Sequence, residues 1–346
     1  MTIVAGSYRQ AGVDIDEGKR AVDLVARAAS ATVTPSVLGS IGGFASLFAF
    51  DAAAYPDPVL VASTDGVGTK LKLAIALGRH AGIGVDLVNH CINDIAVHGA
   101  DPLFFLDYVA VGRLRAELVA EVVGGMAQAC IAAGVALVGG ETAELPDVYR
   151  NGDYDLAGFI VGVVARKRVI DGSAVQAGDV LLGIPSSGLH TNGYSLARRI
   201  LGEGGWARSA PGISGTIGDA LLAPHRSYLS EIRALRSRLD AAGGALLALA
   251  HLTGGGWVEN IPRTLPDGLG VEVETGSWSV PPIFSLIQQR GDIPDAEMVR
   301  TFNLGIGLTA VVRADLEQEA RSAVPDAVRV GRVVRATADQ PRVVFC

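Results

Sequence analysis

An aspartate, two glycines, a threonine and a lysine stand together in the run Asp65-Gly66-Val67-Gly68-Thr69-Lys70. The apolar residues 58–62 before it predict a strand, and residues 71–77 after it predict a helix. Glycines let the backbone approach a ligand closely, and free N–H groups at a helix start attract anions. A carboxylate at such a junction can hold a hard cation such as Mg²⁺ against a phosphate. The combination points to nucleotide phosphate chemistry, although the GxxxxGK[ST] spacing of a P-loop is absent. An Asp-Gly pair by itself also reads as a plain turn.

The same residue types recur along the chain. Residues 85–98 predict a helix, because Val85, Val88, Ile92 and Ile95 fall at spacings of three and four. Asp86, His90 and Asn93 share its other side with Asp94 nearby, either as a solvated face or as a functional one. Residues 103–111 (LFFLDYVAV) predict a strand with Asp107 in its middle. A carboxylate buried there costs several kcal/mol unless it is paired, hydrogen-bonded or metal-bound, which makes Asp107 a stronger candidate than a surface acid. Glu141 sits in a predicted glycine turn, 139–142, after the strand 135–138. Ser186, Ser187, His190, Thr191 and Asn192 follow the predicted strand 179–184, and Thr253 with three glycines follows His251. These are phosphate-binding or orienting groups, with a purely structural loop as the other reading. Gly42 and Gly43 lie in a glycine-rich turn, 39–44, read either as a flexible hairpin or as a flap over a ligand.

The elements that position these groups are legible as a βα pattern. Asp14 opens a helix to about Ala29, with Glu17 at capping-box spacing. A helix over 115–133 closes at Gly134, and a strand covers 155–165. Residues 167–178 form a connector, placing a domain boundary near Lys167, between residues 1–167 and 168–346. A helix over 195–201, a short one over 257–261 and a strand over 305–312 complete the second half.

The chain has 346 residues, 49% apolar and 19% charged, with net charge −7. It is long enough for two domains. Its 44 glycines exceed the average share of about 7% and gather at strand–helix junctions. The acidic balance and lack of a basic stripe argue against a nucleic-acid partner. No apolar run of 18 residues and no leader pattern is seen, so the expected location is cytoplasmic. Three cysteines without a CxxC support neither a disulfide framework nor a zinc ribbon; Cys91 and Cys130 read as core. HExxH, GxSxG and a Rossmann GxGxxG are absent, which argues against a zinc protease, an α/β-hydrolase and a dinucleotide dehydrogenase.

Eight segments in order then carry a resemblance: SYRQAGVDIDEG (7–18), GGF (42–44), STDGVGTK (63–70), NDIAVHGADPLFFLDY (93–108), GGETAELP (139–146), SSGLHTNGYSL (186–196), HLTGGGWVENIPR (251–263) and RTFNLGIGL (300–308). Together they resemble the phosphoribosylformylglycinamidine cyclo-ligases, the AIR synthetases of purine biosynthesis, over nearly the whole chain. The resemblance implies an α/β (α+β) fold of two domains. The N-terminal sheets would pair into a barrel across a homodimer, and helices would cover the C-terminal sheet. It implies ATP and Mg²⁺ as cofactors, with Asp65 and Asp94 as metal ligands. Gly66, Gly68, Thr69, Lys70 and Asn93 would lie on the nucleotide side, as would Asp107 and Glu141, under a loop containing Gly42 and Gly43. Lys70 would supply charge to phosphate. Ser187, His190, Asn192 and Thr253 would face the substrate, His190 orienting it or moving a proton. Thr191 stands where many members carry serine, and Leu189 where many carry proline; the hydroxyl is kept and a backbone N–H is added.

The implied reaction is ATP-driven closure of formylglycinamidine ribonucleotide to aminoimidazole ribonucleotide, with small-molecule substrates only. Sister ATP enzymes such as selenophosphate synthetase or thiamine-monophosphate kinase share the acid-and-glycine loops. The segments 186–196 and 251–263 disfavour them, and the first 90 residues contain no cysteine for a selenide enzyme. A non-catalytic ATP-binding dimeric scaffold is the reading of a different class; it would not need Asp107 and Glu141 as well as Asp65 and Asp94.

Overall fold

The computed structural model describes residues 12–39 and 43–346. Gly42 and the segment 7–11 of the first quoted motif lie outside the described residues. The chain forms two compact units: one extends to Cys91 and includes Pro102–Val163, and the other comprises Ile92–Asp101 and Val164–Cys346. The short excursion of residues 92–101 into the second unit falls inside a helix and its following turn, which a linear division at Lys167 does not anticipate.

The first unit carries a four-stranded sheet in the order β1-β4-β2-β3, with β1 Pro58–Gly66, β2 Asp101–Val111, β3 Ala136–Glu144 and β4 Tyr154–Ala165. Its helices are α1 Ile15–Ser30, α2 Lys70–Leu77, α3 Ala81–Ala96 and α4 Ala116–Ala133. Strands β2 and β3 pair in parallel through α4, the crossover that parallel neighbours require. Two predicted turns are strand instead. β1 continues through Ser63, Thr64 and Asp65 to Gly66, and β3 runs through Gly139-Gly140-Glu141-Thr142 in register with Leu106–Val109. Ladder pairing outweighs the weak strand preference of glycine here, helped by a bulge between Phe105 and Leu106.

The start of α1 also differs from a closed capping box. Asp14 caps the helix, its carboxylate accepting from the N–H of Asp16 and Glu17. Glu17 accepts instead from the Ala116 N–H at the start of α4, 2.7 Å away, while Glu144 accepts from the Asp14 N–H at 2.8 Å. Two helix starts and the end of β3 are thereby tied together. Helices α3 and α4 approach so closely that a Cβ on Gly84 would lie 2.0 Å from the Val122 carbonyl oxygen, and one on Gly125 1.9 Å from that of Ala81. α4 is long and apolar enough by length and composition to cross a membrane. Here it packs on α1 and β3, with Val119, Val122, Val123 and Met126 buried. The other sheet face keeps Leu60 and Phe159 exposed, beside half-buried Leu106 and Tyr108.

The second unit holds a six-stranded sheet, order β10-β7-β9-β5-β8-β6. Its strands are β5 Val180–Pro185, β6 Ala248–His251, β7 Leu269–Val273, β8 Ile306–Val312, β9 Val328–Arg335 and β10 Val343–Phe345. Every pairing is antiparallel except β10 with β7. β5 and β8 are buried along almost their full length, as central strands covered on both faces must be. The core gathers Trp257, Val271, Val273, Ile306 and Val330, with Trp257 stacked on Trp278. Cys91 and Cys130 are buried and Cys346 is exposed.

Candidate functional site

In the first unit, the acid-and-glycine run joins β1 to α2. Asp65 is the penultimate residue of the strand, its side chain 40% exposed; Oδ1 accepts from the Gly66 N–H at 2.7 Å, and Oδ2 lies 2.8 Å from His90 Nε2. Gly68 takes a left-handed φ of 66°, and Thr69 occupies the N-cap position of α2. Lys70 departs from the expected phosphate-facing role. It is fully buried, its ammonium 2.9 Å from Oδ1 and 2.8 Å from Oδ2 of an equally buried Asp86. Burial pushes the Lys70 pKa down, against the pull of Asp86. The Asp65–Lys70 junction is therefore pinned to α3 at Asp86 and His90, one helical turn apart. The polar side of α3 is buried, not solvated: Asp86, His90 and Asn93 are all below 5% exposed.

Asp107, Glu141 and Gly43 come together on one cleft of about 670 Å³, lined also by Tyr108, Thr142 and Val22. Asp107 lies on the inner face of β2, 7% exposed. Burial raises its pKa to about 7, opposed by a backbone hydrogen bond. Gly140 opposite is required there, since a Cβ would lie 2.1 Å from Asp107 Oδ1. Burial also raises the Cys130 pKa to about 12, with the Asp107 charge adding to it. A wider polar cleft of about 1150 Å³ on the same unit is lined by Arg113, Arg115, Arg150 and Glu144; nothing in the sequence pattern singled it out.

In the second unit, the loops after β5 and β6 bring Ser187, His190, Thr191, Asn192, His251 and Thr253 to one end of the sheet. His190 sits at φ 60°, a left-handed conformation that an L-residue rarely adopts. Its Nε2 accepts from the Ser187 N–H at 3.2 Å. Asn303 holds the loop from beneath, donating to the Gly188 carbonyl at 2.8 Å and accepting from the Gly305 N–H at 2.9 Å. The Ser187 hydroxyl donates to the Pro224 carbonyl at 2.5 Å. Thr253 Oγ1 lies 3.4 Å from Asn260 Oδ1.

The end of α3 belongs to this unit and supplies Asn93 and Asp94. Asn93, expected on the nucleotide side, is committed to backbone. It donates to the Arg226 carbonyl at 2.9 Å and accepts from the Tyr228 N–H at 2.8 Å. Asp94 Oδ1 lies 2.8 Å from His251 Nδ1, with the Asp94 side chain 26% exposed. His225, which sequence reasoning missed, stacks on His190 with ring centroids 4.0 Å apart and meets His251 Nε2 to Nε2 at 2.9 Å. Ring nitrogens of His190, His225 and His251 all lie within 4.8 Å of one another, a set that could hold a metal ion. The 2.9 Å contact is a hydrogen-bond distance; nitrogens sharing a tetrahedral zinc at about 2.0–2.1 Å stand roughly 3.3 Å apart.

Residues 50–164 match the family described as AIR synthase related protein, N-terminal domain, and residues 176–344 match its C-terminal domain. Phosphoribosylformylglycinamidine cyclo-ligase of Desulfitobacterium hafniense (strain DSM 10664 / DCB-2) is 54% identical over 310 residues, 89% of this chain and 90% of that protein. The protein of the same name from Nitrosococcus oceani is 52% identical over 343 residues, 98% and 94% of the two chains. Among solved structures, hydrogenase maturation protein HypE in complex with ATP aligns at TM-score 0.67 and 18% identity, covering 91% of this chain and 88% of that one. At that identity the likeness establishes the fold alone.

Proposed function

The chain belongs to the phosphoribosylformylglycinamidine cyclo-ligase family, and on that premise we propose that it closes the ring of aminoimidazole ribonucleotide from formylglycinamidine ribonucleotide with ATP. The observation that carries this reading is identity above one half to cyclo-ligases across both domains. The formamide carbonyl is a poor electrophile, and its oxygen is a poor leaving group. Transfer of the γ-phosphoryl to that oxygen releases ADP and makes an iminophosphate. The amidine nitrogen of the same molecule then attacks the activated carbon. The new C–N bond forms as the C–O bond breaks, phosphate departs and the nitrogen loses a proton. Because closure is intramolecular, alignment alone contributes several kcal/mol.

The protein's task is to align ATP with the amide oxygen and to shield the intermediate from water. Gly66, Gly68 and Thr69 would approach the nucleotide phosphates, with Asp107, Glu141 and Gly43 lining its groove. Lys70 would act by holding the junction in place through Asp86. Asp65 in the first unit and Asp94 in the second each suit Mg²⁺ in their chemistry: both are partly exposed carboxylates beside an imidazole. Mg²⁺ bound there would neutralise charge on the polyphosphate. Ser187, His190, Asn192 and Thr253 would face the ribonucleotide. The exposed apolar face with Leu60 and Phe159 fits pairing with a second copy into a homodimeric barrel. We place the enzyme in the cytoplasm with the rest of purine synthesis.

The test is formation of ADP and aminoimidazole ribonucleotide from Mg²⁺–ATP with and without formylglycinamidine ribonucleotide. Equimolar products that require the substrate are expected. ATP bound without turnover would point to a scaffold, and ATP turnover with another acceptor to a sister enzyme.

A further inference from the structure

Four side chains of the second unit form a continuous chain of contacts. Asp94 Oδ1 meets His251 Nδ1 at 2.8 Å, His251 Nε2 meets His225 Nε2 at 2.9 Å, and His225 Nδ1 meets the Thr191 hydroxyl at 3.4 Å. Both imidazoles are buried, His225 at 1% and His251 at 6% exposure, and Thr191 is 8% exposed. Every ring nitrogen of the two histidines is thus engaged within the protein.

The donor direction follows from elementary chemistry. A carboxylate only accepts, so His251 carries its proton on Nδ1. Neutral His251 then presents Nε2 as an acceptor. The short contact across the two rings therefore requires the proton on Nε2 of His225. That leaves His225 Nδ1 as an acceptor, which the Thr191 hydroxyl can satisfy by donating. Asn192 Nδ2 donates to the Thr191 oxygen at 3.5 Å, consistent with that hydroxyl sending its own proton to His225.

We infer that His225 and Thr191 are positioning residues: they complete a one-directional hydrogen-bond chain, Thr191 to His225 to His251 to Asp94, that fixes both imidazole tautomers and the direction of the Asp94 carboxylate. The functional consequence rests on the cyclo-ligase reading, in which Asp94 belongs to the reaction centre. Without His225, His251 Nε2 loses that N–H donor, and the Asp94 carboxylate holds the ring and its Nδ1–H tautomer with one anchor fewer. The Thr191 hydroxyl is the first donor of the chain.

The experiment is ¹⁵N NMR of histidine-labelled full-length protein, in which only six histidines contribute, combined with kinetics of four variants. In the wild type, the His251 signals should report Nδ1–H and those of His225 Nε2–H. His225→Leu should lose the His251 signature and about 10²-fold in kcat, a loss typical of misplaced reacting groups, with the KM for ATP changed much less. His225→Gln places an amide donor where Nε2–H stood; it should keep the His251 tautomer and recover most of kcat. Thr191→Val should shift the His225 nitrogens and lower kcat, and Thr191→Ser should restore both, which keeps the test sharp if the leucine variant folds poorly. His251 found as the Nε2–H tautomer in the wild type, or unmoved together with kcat in His225→Leu, overturns the inference. The tautomers are read without turnover. A protein that shows them but makes no product refutes the reaction assignment and leaves the chain standing.

Discussion

Lys70 and Asp86 form an ion pair sealed from solvent, with the ammonium 2.8–2.9 Å from both carboxylate oxygens. Four residues further along α3, His90 meets Asp65 at 2.8 Å. The two ends of the Asp65–Lys70 junction are thus tied to successive turns of one helix. Both charges of a buried pair are dehydrated, a cost that their mutual attraction and hydrogen bonding offset. The arrangement ties the junction to α3 and pairs the lysine with Asp86.

A double-mutant cycle tests this. Lys70→Met leaves a buried carboxylate without its partner and should cost about 3–5 kcal/mol in denaturant unfolding. The double change Lys70→Met with Asp86→Leu should recover most of that stability. A Lys70→Met protein of wild-type stability that has lost only ATP affinity would return the lysine to the phosphate.

Asp65→Asn keeps the shape of the strand end and removes its charge. Asp65 is half exposed, so stability should move by less than about 1 kcal/mol, the scale of exposed ion pairs. Turnover with Mg²⁺–ATP should fall at least about 100-fold, as for removal of one electrostatic group at a reaction centre. Melting and steady-state kinetics on the same preparation check both statements, and a markedly unfolded variant would show that the junction is mainly structural.

Gly84→Ala and Gly125→Ala probe how α3 is held. Each added Cβ would fall within 2.0 Å of a backbone oxygen of the facing helix, which cannot yield as a flexible side chain would. Each variant should lose about 1–3 kcal/mol through overpacking. Because α3 carries Asp86 and His90, ATP affinity should weaken along with stability. Gly124→Ala, with open space at its Cβ, is the matched control and should be neutral or slightly stabilising.

Much of the fold was legible in the sequence because its signals are local. The i, i+3, i+4 pattern of Val85, Val88, Ile92 and Ile95 marked α3, Asp14 marked the start of α1, and Gly134 took its left-handed C-cap. Asp107 stood out because a strand rich in apolar residues must bury it. What escaped depends on distance along the chain. Asp94 and His251 are 157 residues apart, and no periodicity announces their contact or brings His225 between His251 and Thr191. The passage of residues 92–101 into the second unit is likewise a tertiary event within an uninterrupted helical pattern. Glycines 139 and 140 read as a turn because local propensity cannot see the β2 ladder that straightens them.

Asp107 gives a pH test of the first-unit cleft. Its folded pKa is raised by burial to about 7 from an ordinary 3.8. Between those values the folded chain keeps a proton that the unfolded chain has released. Stability therefore falls as pH rises through the window, and the loss is complete above about pH 7. Asp107→Asn removes the ionisation and should gain on wild type from pH 4 to pH 7. A shift of that size corresponds to a ceiling on the order of 4 kcal/mol. Its turnover should drop nonetheless, because the carboxyl lines the proposed nucleotide groove. Melting temperatures of both proteins at half-unit pH steps give the answer. Curves that stay parallel from pH 4 to pH 8 would mean that the carboxylate titrates at its ordinary value and that its burial costs nothing.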